Sequence, residues 1–125
     1  WLTIKHLDTN QLQSEFVNYR AGLLPLEVSE YNNLALPYKI FEYASHGLPI
    51  FSSSNIESIK LIEKYNIGIN MGSSVNEFYQ TIIEYYDNDE KLYSWSKSCL
   101  DFIKNEGLWK HRYDKIITDY SEYEN

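Results

Sequence analysis

The sequence has little cysteine, no long apolar run and few positive charges, and each shortage excludes a class of protein. The chain has one cysteine, Cys99, among 125 residues, so no disulfide can form within it and nothing demands an oxidising compartment. No apolar run approaches the roughly 20 residues of a membrane-spanning helix, and no signal peptide is visible. These absences lead us to expect a cytoplasmic location.

Charge and the scarcity of metal ligands exclude further partners. The chain carries 11 Lys and Arg residues against 18 Asp and Glu residues, for a formal net charge of -7. Nucleic-acid phosphates require clustered Lys and Arg, and an anionic membrane attracts the same residues, so we expect neither partner at this segment. His6, His46 and His111 are scattered rather than placed at metal-ligand spacing. We therefore expect no metal and no cofactor.

The composition fits one globular domain over residues 1–125. This length is sufficient for one hydrophobic core and short for two. Aromatic residues make up 16% of the chain, with 12 tyrosines, and they supply packing area with polar tips. Because the first residue is Trp1 rather than Met, we expect this domain to be a piece of a longer protein.

Strand and helix patterns alternate along the chain. The expected strands are a weak one at 2–4, a continuous apolar run at 21–26 that is typical of a buried parallel strand, and short ones at 50–52 and 67–69. A loop is expected at 27–36. The expected helices begin at Asp8, Thr9 or Asn10, at Pro37, at the capping boxes Ser54–Glu57 and Ser74–Glu77, near Leu92 and at Trp109.

This alternation predicts an α/β fold with a parallel sheet that helices cover on both faces. Ligands of such sheets bind beyond the carboxyl ends of the strands, where the loop after strand 21–26 and the start of helix 37–47 are expected. The side chains expected in the core are Leu24, Phe41, Ile50, Ile62, Trp95, Cys99 and Trp109.

The start of helix 37–47 is locally unfavourable. Leu36, which precedes Pro37, has no side-chain oxygen to cap the free N–H groups of the first turn. Lys39 adds a positive charge that opposes the helix dipole, so a bound anion would relieve both faults. At the other end, Gly47 can take the left-handed conformation that closes a helix.

Lys39 and Glu42 are three residues apart and share a face of this helix. The lysine suits a phosphate, and the carboxylate one turn deeper suits sugar hydroxyls. The alternative is a plain surface ion pair, worth a few tenths of a kcal/mol. The serines at 52–54 follow a strand and could also donate to phosphate, although Ser54 is better explained as a helix cap.

The order of these motifs resembles a known family. Ala21-Gly22-Leu23-Leu24-Pro25-Leu26, a polar loop, and then Pro37 through Ile50 are similar to the nucleotide-sugar-binding domain of GT-B glycosyltransferases of the retaining "group 1" family. That family's pattern runs from an apolar strand ending in Leu-x-Pro to Pro-x-Lys-x-x-Glu-Tyr, Gly-x-Pro and another strand. The resemblance covers most of the chain, including the closing helix from Trp109 to Tyr120.

The resemblance implies a fold, a ligand and roles for particular residues. The fold would be a Rossmann-like parallel sheet flanked by helices, the C-terminal half of a GT-B enzyme. The ligand would be a nucleotide diphosphate sugar carrying UDP or GDP. Glu42 would bind the ribose hydroxyls, Lys39 would lie beside the diphosphate, and Tyr38, next to Pro37, would contribute its backbone N–H.

One departure from the family affects the reacting centre. Many relatives carry a second glutamate, with seven residues between it and the ribose-binding one, and that position here is Leu34. Glu27, Glu30 or Asn33 could reach the same place from a loop of different shape. Sugar identity, retention or inversion of stereochemistry, and the catalytic residue therefore stay open.

Two features of the family are missing from this sequence, and their absence limits the activity that we expect from it. Relatives clamp the diphosphate with an Arg and Lys pair on an earlier part of the domain and bind the acceptor, a saccharide or a lipid-linked molecule, in an N-terminal domain. Neither feature is found in this sequence, so we expect this segment to be inactive alone. Any peripheral attachment to the inner membrane would be made by the missing part.

Two other classes remain as alternatives. One is a sugar-nucleotide epimerase of the same architecture, with similar ribose and diphosphate contacts. The other is a non-catalytic doubly wound module. A receiver domain of that kind needs an acidic cluster at the ends of its early strands, and no Asp pair follows either 2–4 or 21–26.

Overall fold

Three short parallel strands form an open sheet within the residues that the structure, a computed structural model, describes: 2–123, with side chains to 120. The strands are β1 (Gly22–Leu24), β2 (Ile50–Ser52) and β3 (Gly68–Asn70), in the order β1-β2-β3. The helices are α1 (Thr9–Phe16), α2 (Glu30–Leu34), α3 (Tyr38–Ser45), α4 (Ile56–Tyr65), α5 (Val75–Tyr86), α6 (Asp89–Phe102) and α7 (Trp109–Tyr123), with a π-helical turn at Ile103–Gly107. The expected α/β class and parallel pairing are confirmed, and the architecture is compatible with a Rossmann-like fold.

The sheet has a helical layer on each face. Ile50 of β2 pairs with Gly22 of β1 and with Gly68 of β3. Because side chains alternate along a strand, Ile50 faces one side of the sheet and Phe51 faces the other. One buried cluster contains Leu24, Ile40, Ala44, Ile50, Ile62, Ile67, Cys99 and Phe102, and the other contains Phe51, Met71, Leu92 and Trp95.

The direction of α3 follows from the parallel pairing of β1 and β2. The chain leaves the carboxyl end of β1 and must return to the amino end of β2. Helix α3 makes the last part of that return, and Gly47 (φ 66°) ends it, with the Leu48 N–H donating to the Tyr43 carbonyl at 3.0 Å. The glycine-terminated helix is confirmed, and its start lies toward the carboxyl edge of the sheet, where ligands bind in such folds.

Two predictions from the sequence, a strand at 2–4 and a loop throughout 27–36, are wrong. Residues 2–4 form no strand, and Leu2 and Ile4 are exposed, because a strand needs a neighbouring strand for its backbone hydrogen bonds. The loop expected at 27–36 contains α2, which Ser29 caps by accepting from the Asn32 N–H at 3.2 Å.

The two predicted capping boxes have different outcomes. Ser74 and Glu77 form one at the start of α5, and the Ser74 hydroxyl and the N–H groups of Ser73 and Ser74 lower the pKa of Glu77. The Ser54 box is wrong, because the Ser54 hydroxyl donates to Asn70 Oδ1 at 2.7 Å and α4 begins only after Asn55.

Core placement agrees with expectation except at two aromatic residues. Leu24, Ile50, Ile62, Trp95 and Cys99 are buried, and burial raises the pKa of the Cys99 thiol to about 12. Phe41 is only partly buried, since it packs at the border of the core against Phe102, with ring centroids 5.9 Å apart. Trp109 is 74% exposed, because α7 extends away from the sheet.

Candidate functional site

The start of α3 has unused hydrogen-bond donors. Pro37 is the N-cap residue, and no side chain caps the helix. The N–H of Ile40 donates to the Pro37 carbonyl at 3.1 Å, whereas the N–H groups of Tyr38 and Lys39 have no partner among the described residues. Two backbone donors and the positive end of the helix dipole therefore remain for an anion.

Lys39 and Glu42 form an ion pair one turn into the helix. Lys39 Nζ lies 2.6 Å from Glu42 Oε2, and this hydrogen bond raises the pKa of Lys39. The Glu42 side chain is 20% exposed, and its Oε1 has no partner within residues 2–123. The carboxylate thus keeps one free acceptor.

The order of charges in this pair opposes the helix dipole. The lysine precedes the glutamate, which is the less favourable arrangement on a helix. Helix α4 carries the favourable order, with Glu57 Oε1 2.6 Å from Lys60 Nζ. The α3 pair is therefore poorly explained as a device for helix stability, and the α4 pair provides a matched reference.

A groove of about 400 Å³ runs along the outer face of α3. Helix α1 forms one wall, and the π-helical turn with the start of α7 forms the other. Glu42 and Tyr38 line the groove, whereas Lys39 does not. The Arg112 guanidinium lies 4.7 Å from the ring centre of Phe41 and 5.2 Å from that of Trp109. A polar carboxylate therefore opens into a space bordered by flat, stacking groups.

The structure brings some of the predicted site residues together and separates another. Pro37, Tyr38, Lys39 and Glu42 share the first turns of α3. Asn33 is occupied elsewhere, since its Oδ1 accepts from the Ile56 N–H at 3.2 Å and so caps α4.

Leu34, at the position of the family's upstream glutamate, is 82% exposed. It contributes no polar group to the site.

Two serines at the end of β2 have their hydroxyls bonded within the protein. Ser52 and Ser53 are fully buried. Ser53 Oγ lies 3.2 Å from the Leu24 carbonyl and 2.5 Å from the Leu26 carbonyl, and it accepts from Asn55 Nδ2 at 3.1 Å. These bonds fix the loop after β1 to the end of β2, and the Ser52 hydroxyl donates to the Ser53 carbonyl at 3.1 Å. We therefore exclude Ser52 and Ser53 as phosphate donors.

Sequence patterns missed the walls of the groove. Leu12 and Phe16 of α1 line the first wall, but nothing in the local sequence shows that α1 lies beside α3. Trp109 and Arg112 stand three residues apart, a spacing that places them on one helix face. That spacing was the available signal for the second wall.

Comparisons with protein-family models, with curated proteins and with solved structures gave no match. Within the described part of the chain, no group of three or more His, Cys, Asp or Glu residues is placed to hold a metal ion. None of the described helices is long and apolar enough to cross a membrane.

Proposed function

We propose that this chain binds the nucleoside diphosphate of a sugar nucleotide and is the C-terminal, donor-binding portion of a GT-B glycosyltransferase of the group 1 family. The observation that carries the proposal is the uncapped start of α3, with Lys39 in its first turn and with Glu42, which keeps one free carboxylate oxygen, lining the groove. The sequence resemblance, which includes these same residues, also supports the proposal.

The arrangement along α3 matches the order of groups in a nucleotide. The diphosphate lies at the N–H groups of Tyr38 and Lys39, where the helix dipole favours negative charge. One turn later, Glu42 Oε1 accepts hydrogen bonds from the ribose hydroxyls. The base continues into the groove, whose volume of about 400 Å³ falls within the usual range for small-molecule sites, about 300–1,000 Å³.

These groups have a chemical role in glycosyl transfer. When the bond between the sugar and the diphosphate breaks, negative charge develops on the departing phosphate oxygen. Preorganised N–H donors and the Lys39 ammonium stabilise that charge without reorganising. The acceptor is held by another part of the intact enzyme, so donor binding is the property to test in this chain.

Calorimetric titration with UDP and with GDP tests the proposal. Glu42→Ala removes a charge-assisted hydrogen bond, and we expect affinity for the bound nucleotide to fall about 10- to 150-fold. Lys39→Ala should reduce affinity less, because the backbone donors survive the substitution.

Glu57→Ala and Lys60→Ala are matched controls, because they break an ion pair of the same spacing and the same 2.6 Å distance on α4. Both controls should leave affinity unchanged. The proposal would be contradicted if neither UDP nor GDP binds, or if Glu42→Ala and Glu57→Ala reduce the affinity equally.

A further inference from the structure

One face of α1 lines the groove beside Glu42, and it carries an amide that the protein does not use. The residues of this face are Thr9, Leu12, Gln13 and Phe16, whose spacing places them on one side of a helix. The Gln13 amide has no hydrogen-bond partner among the residues that the structure describes. A polar group of this kind in a concave site is available to orient a ligand.

The level of Gln13 along α3 follows from the contacts of Phe16. The ring centre of Phe16 lies 4.4 Å from that of His46 and 6.1 Å from that of Tyr43, so α1 and α3 end side by side. Both helices lead to the amino ends of neighbouring parallel strands, and they therefore run in roughly the same direction. Gln13 lies one turn before Phe16, as Glu42 lies one turn before His46. Gln13 is therefore close to the level of Glu42.

Arg112 supplies hydrogen-bond donors from the opposite wall of the groove. Its guanidinium lies over the rings of Phe41 and Trp109, and it forms no ion pair with a carboxylate in the described part of the chain. A guanidinium has five N–H donors in its plane and no acceptor. Stacking uses the face of this group and leaves the donors at its edge for a ligand.

The two side chains together match the polar edge of a pyrimidine base. The Gln13 amide offers a donor and an acceptor, and Arg112 adds a donor. Uracil presents the O4 acceptor, the N3–H donor and the O2 acceptor, so Gln13 pairs with the first two and Arg112 pairs with O2. Cytosine presents its amino group, the N3 acceptor and the same O2, which the amide matches after it turns over.

Purine bases do not match this set of groups. Guanine presents the O6 acceptor and then two donors, N1–H and the N2 amino group, so Arg112 would set a donor against a donor. Among the described residues that line the groove, Glu42 is the only one with a carboxylate, and the ribose uses it. Adenine has a C–H group at the last position and gives Arg112 no acceptor.

We therefore propose that the nucleotide of this site is a pyrimidine nucleoside diphosphate, whose base is recognised by Gln13 and Arg112. This inference rests on the proposed function, because it takes the ribose to lie at Glu42 and the base to lie in the groove. Between the two nucleotides that the family resemblance implies, it selects UDP over GDP.

Calorimetric titration of the chain with UDP, CDP, GDP and ADP tests the assignment. We expect UDP and CDP to bind at least about tenfold more tightly than GDP and ADP, because each purine leaves a polar group of the site unpaired or opposed.

Two substitutions should change the preference for UDP over GDP. Gln13→Glu replaces the amide by a carboxylate that accepts from both guanine donors, and we expect the ratio of UDP affinity to GDP affinity to fall about tenfold. Arg112→Met removes the donor to O2 and should lower the same ratio about tenfold. The ratio is the quantity to compare, because a changed charge near the diphosphate affects both nucleotides.

Gln80→Glu on α5 and Lys110→Met on α7 are matched controls. Both residues are exposed, and neither lines the groove. Both control variants should keep the ratio of the parent protein.

The base assignment and the proposed function fail in different ways. Equal affinities of the parent for UDP and GDP, or a ratio that Gln13→Glu or Arg112→Met leaves unchanged, would overturn the base assignment while nucleotide binding stands. If none of the four nucleotides binds, the proposed function fails and the base assignment fails with it.

Discussion

The packing of α3 against β1 depends on a glycine, and its replacement gives a sharp test of the fold. A Cβ placed on Gly22 would lie 2.3 Å from Cδ2 and 2.4 Å from Cγ of Tyr43. These atoms are at the base of the ring, close to the helix backbone, so the ring cannot move aside without displacing α3. Gly22→Ala therefore forces the strand and the helix apart.

The expected loss of stability can be bounded from two opposing effects. Overpacking of this kind costs about 1–3 kcal/mol. Replacing glycine by alanine also reduces the freedom of the unfolded chain, which returns about 0.4–1 kcal/mol. The difference between these ranges is about 0–2.6 kcal/mol. We expect Gly22→Ala to lower the free energy of unfolding by a value near the middle of that range, about 1.3 kcal/mol, in urea denaturation followed by circular dichroism.

A second substitution separates this clash from other causes. Tyr43→Ala removes the ring, so the alanine at position 22 should then cost little. The double variant should be more stable than the sum of the single effects indicates, by at least about 1 kcal/mol. A Gly22→Ala protein as stable as the parent, or strictly additive effects, would refute this account of the α3–β1 contact.

Two further predictions follow from burial and from helix capping. Because the pKa of Cys99 is about 12 instead of 9.0, its thiolate is about a thousandfold scarcer than an ordinary one at pH 8. Alkylation of the native protein by iodoacetamide should therefore be very slow and should accelerate about tenfold per pH unit up to about pH 10. In urea the alkylation should become fast. Equal alkylation rates in the native and unfolded states would contradict the burial of Cys99. Ser74→Ala should lower the free energy of unfolding by about 1 kcal/mol because it deletes a helix cap. Ser54→Ala should lower it by less than about 0.5 kcal/mol because Ser54 caps no helix. Equal losses of stability in urea denaturation would contradict the assignment of the caps.

Local chemistry accounts for the parts of the fold that sequence patterns predicted. The apolar run at 21–26 contains β1, and Gly47 ends α3 because it can adopt a positive φ. Asn66 ends α4 in the same left-handed conformation, with φ 51°. Each of these features depends on a few adjacent residues, so each is visible in the sequence.

The errors at Ser54 and Trp109 have a different cause, because each depends on parts of the chain far away in the sequence. Ser54 and Ser74 both precede a glutamate by three residues, but only Ser54 lies beside Asn70 at the end of β3. Trp109 begins a helical stripe of the kind that usually faces a core, yet α7 extends beyond the sheet. A periodic pattern shows that a helix has an apolar face and does not show what covers it.

In the candidate site, too, the local features were predictable from the sequence and the contacts between distant elements were not. Pro37, Lys39 and Glu42 are close in sequence, and their helical spacing brings them together as expected. Asn33 was expected near the ligand but caps α4, a helix that begins 23 residues later. The groove itself depends on α1 and α7 meeting α3, and such tertiary contacts leave no local signature.

The central claim is that Glu42 holds the ribose of a nucleoside diphosphate, and a thermodynamic cycle tests it most directly. The affinities of the parent protein and of Glu42→Ala are measured by calorimetry for UDP and for 2′,3′-dideoxy-UDP, which lacks the ribose hydroxyls. We predict that Glu42→Ala weakens UDP binding about 10- to 150-fold and changes binding of the dideoxy analogue less than about threefold. Equal losses for the two nucleotides, or no loss for UDP, would contradict the claim.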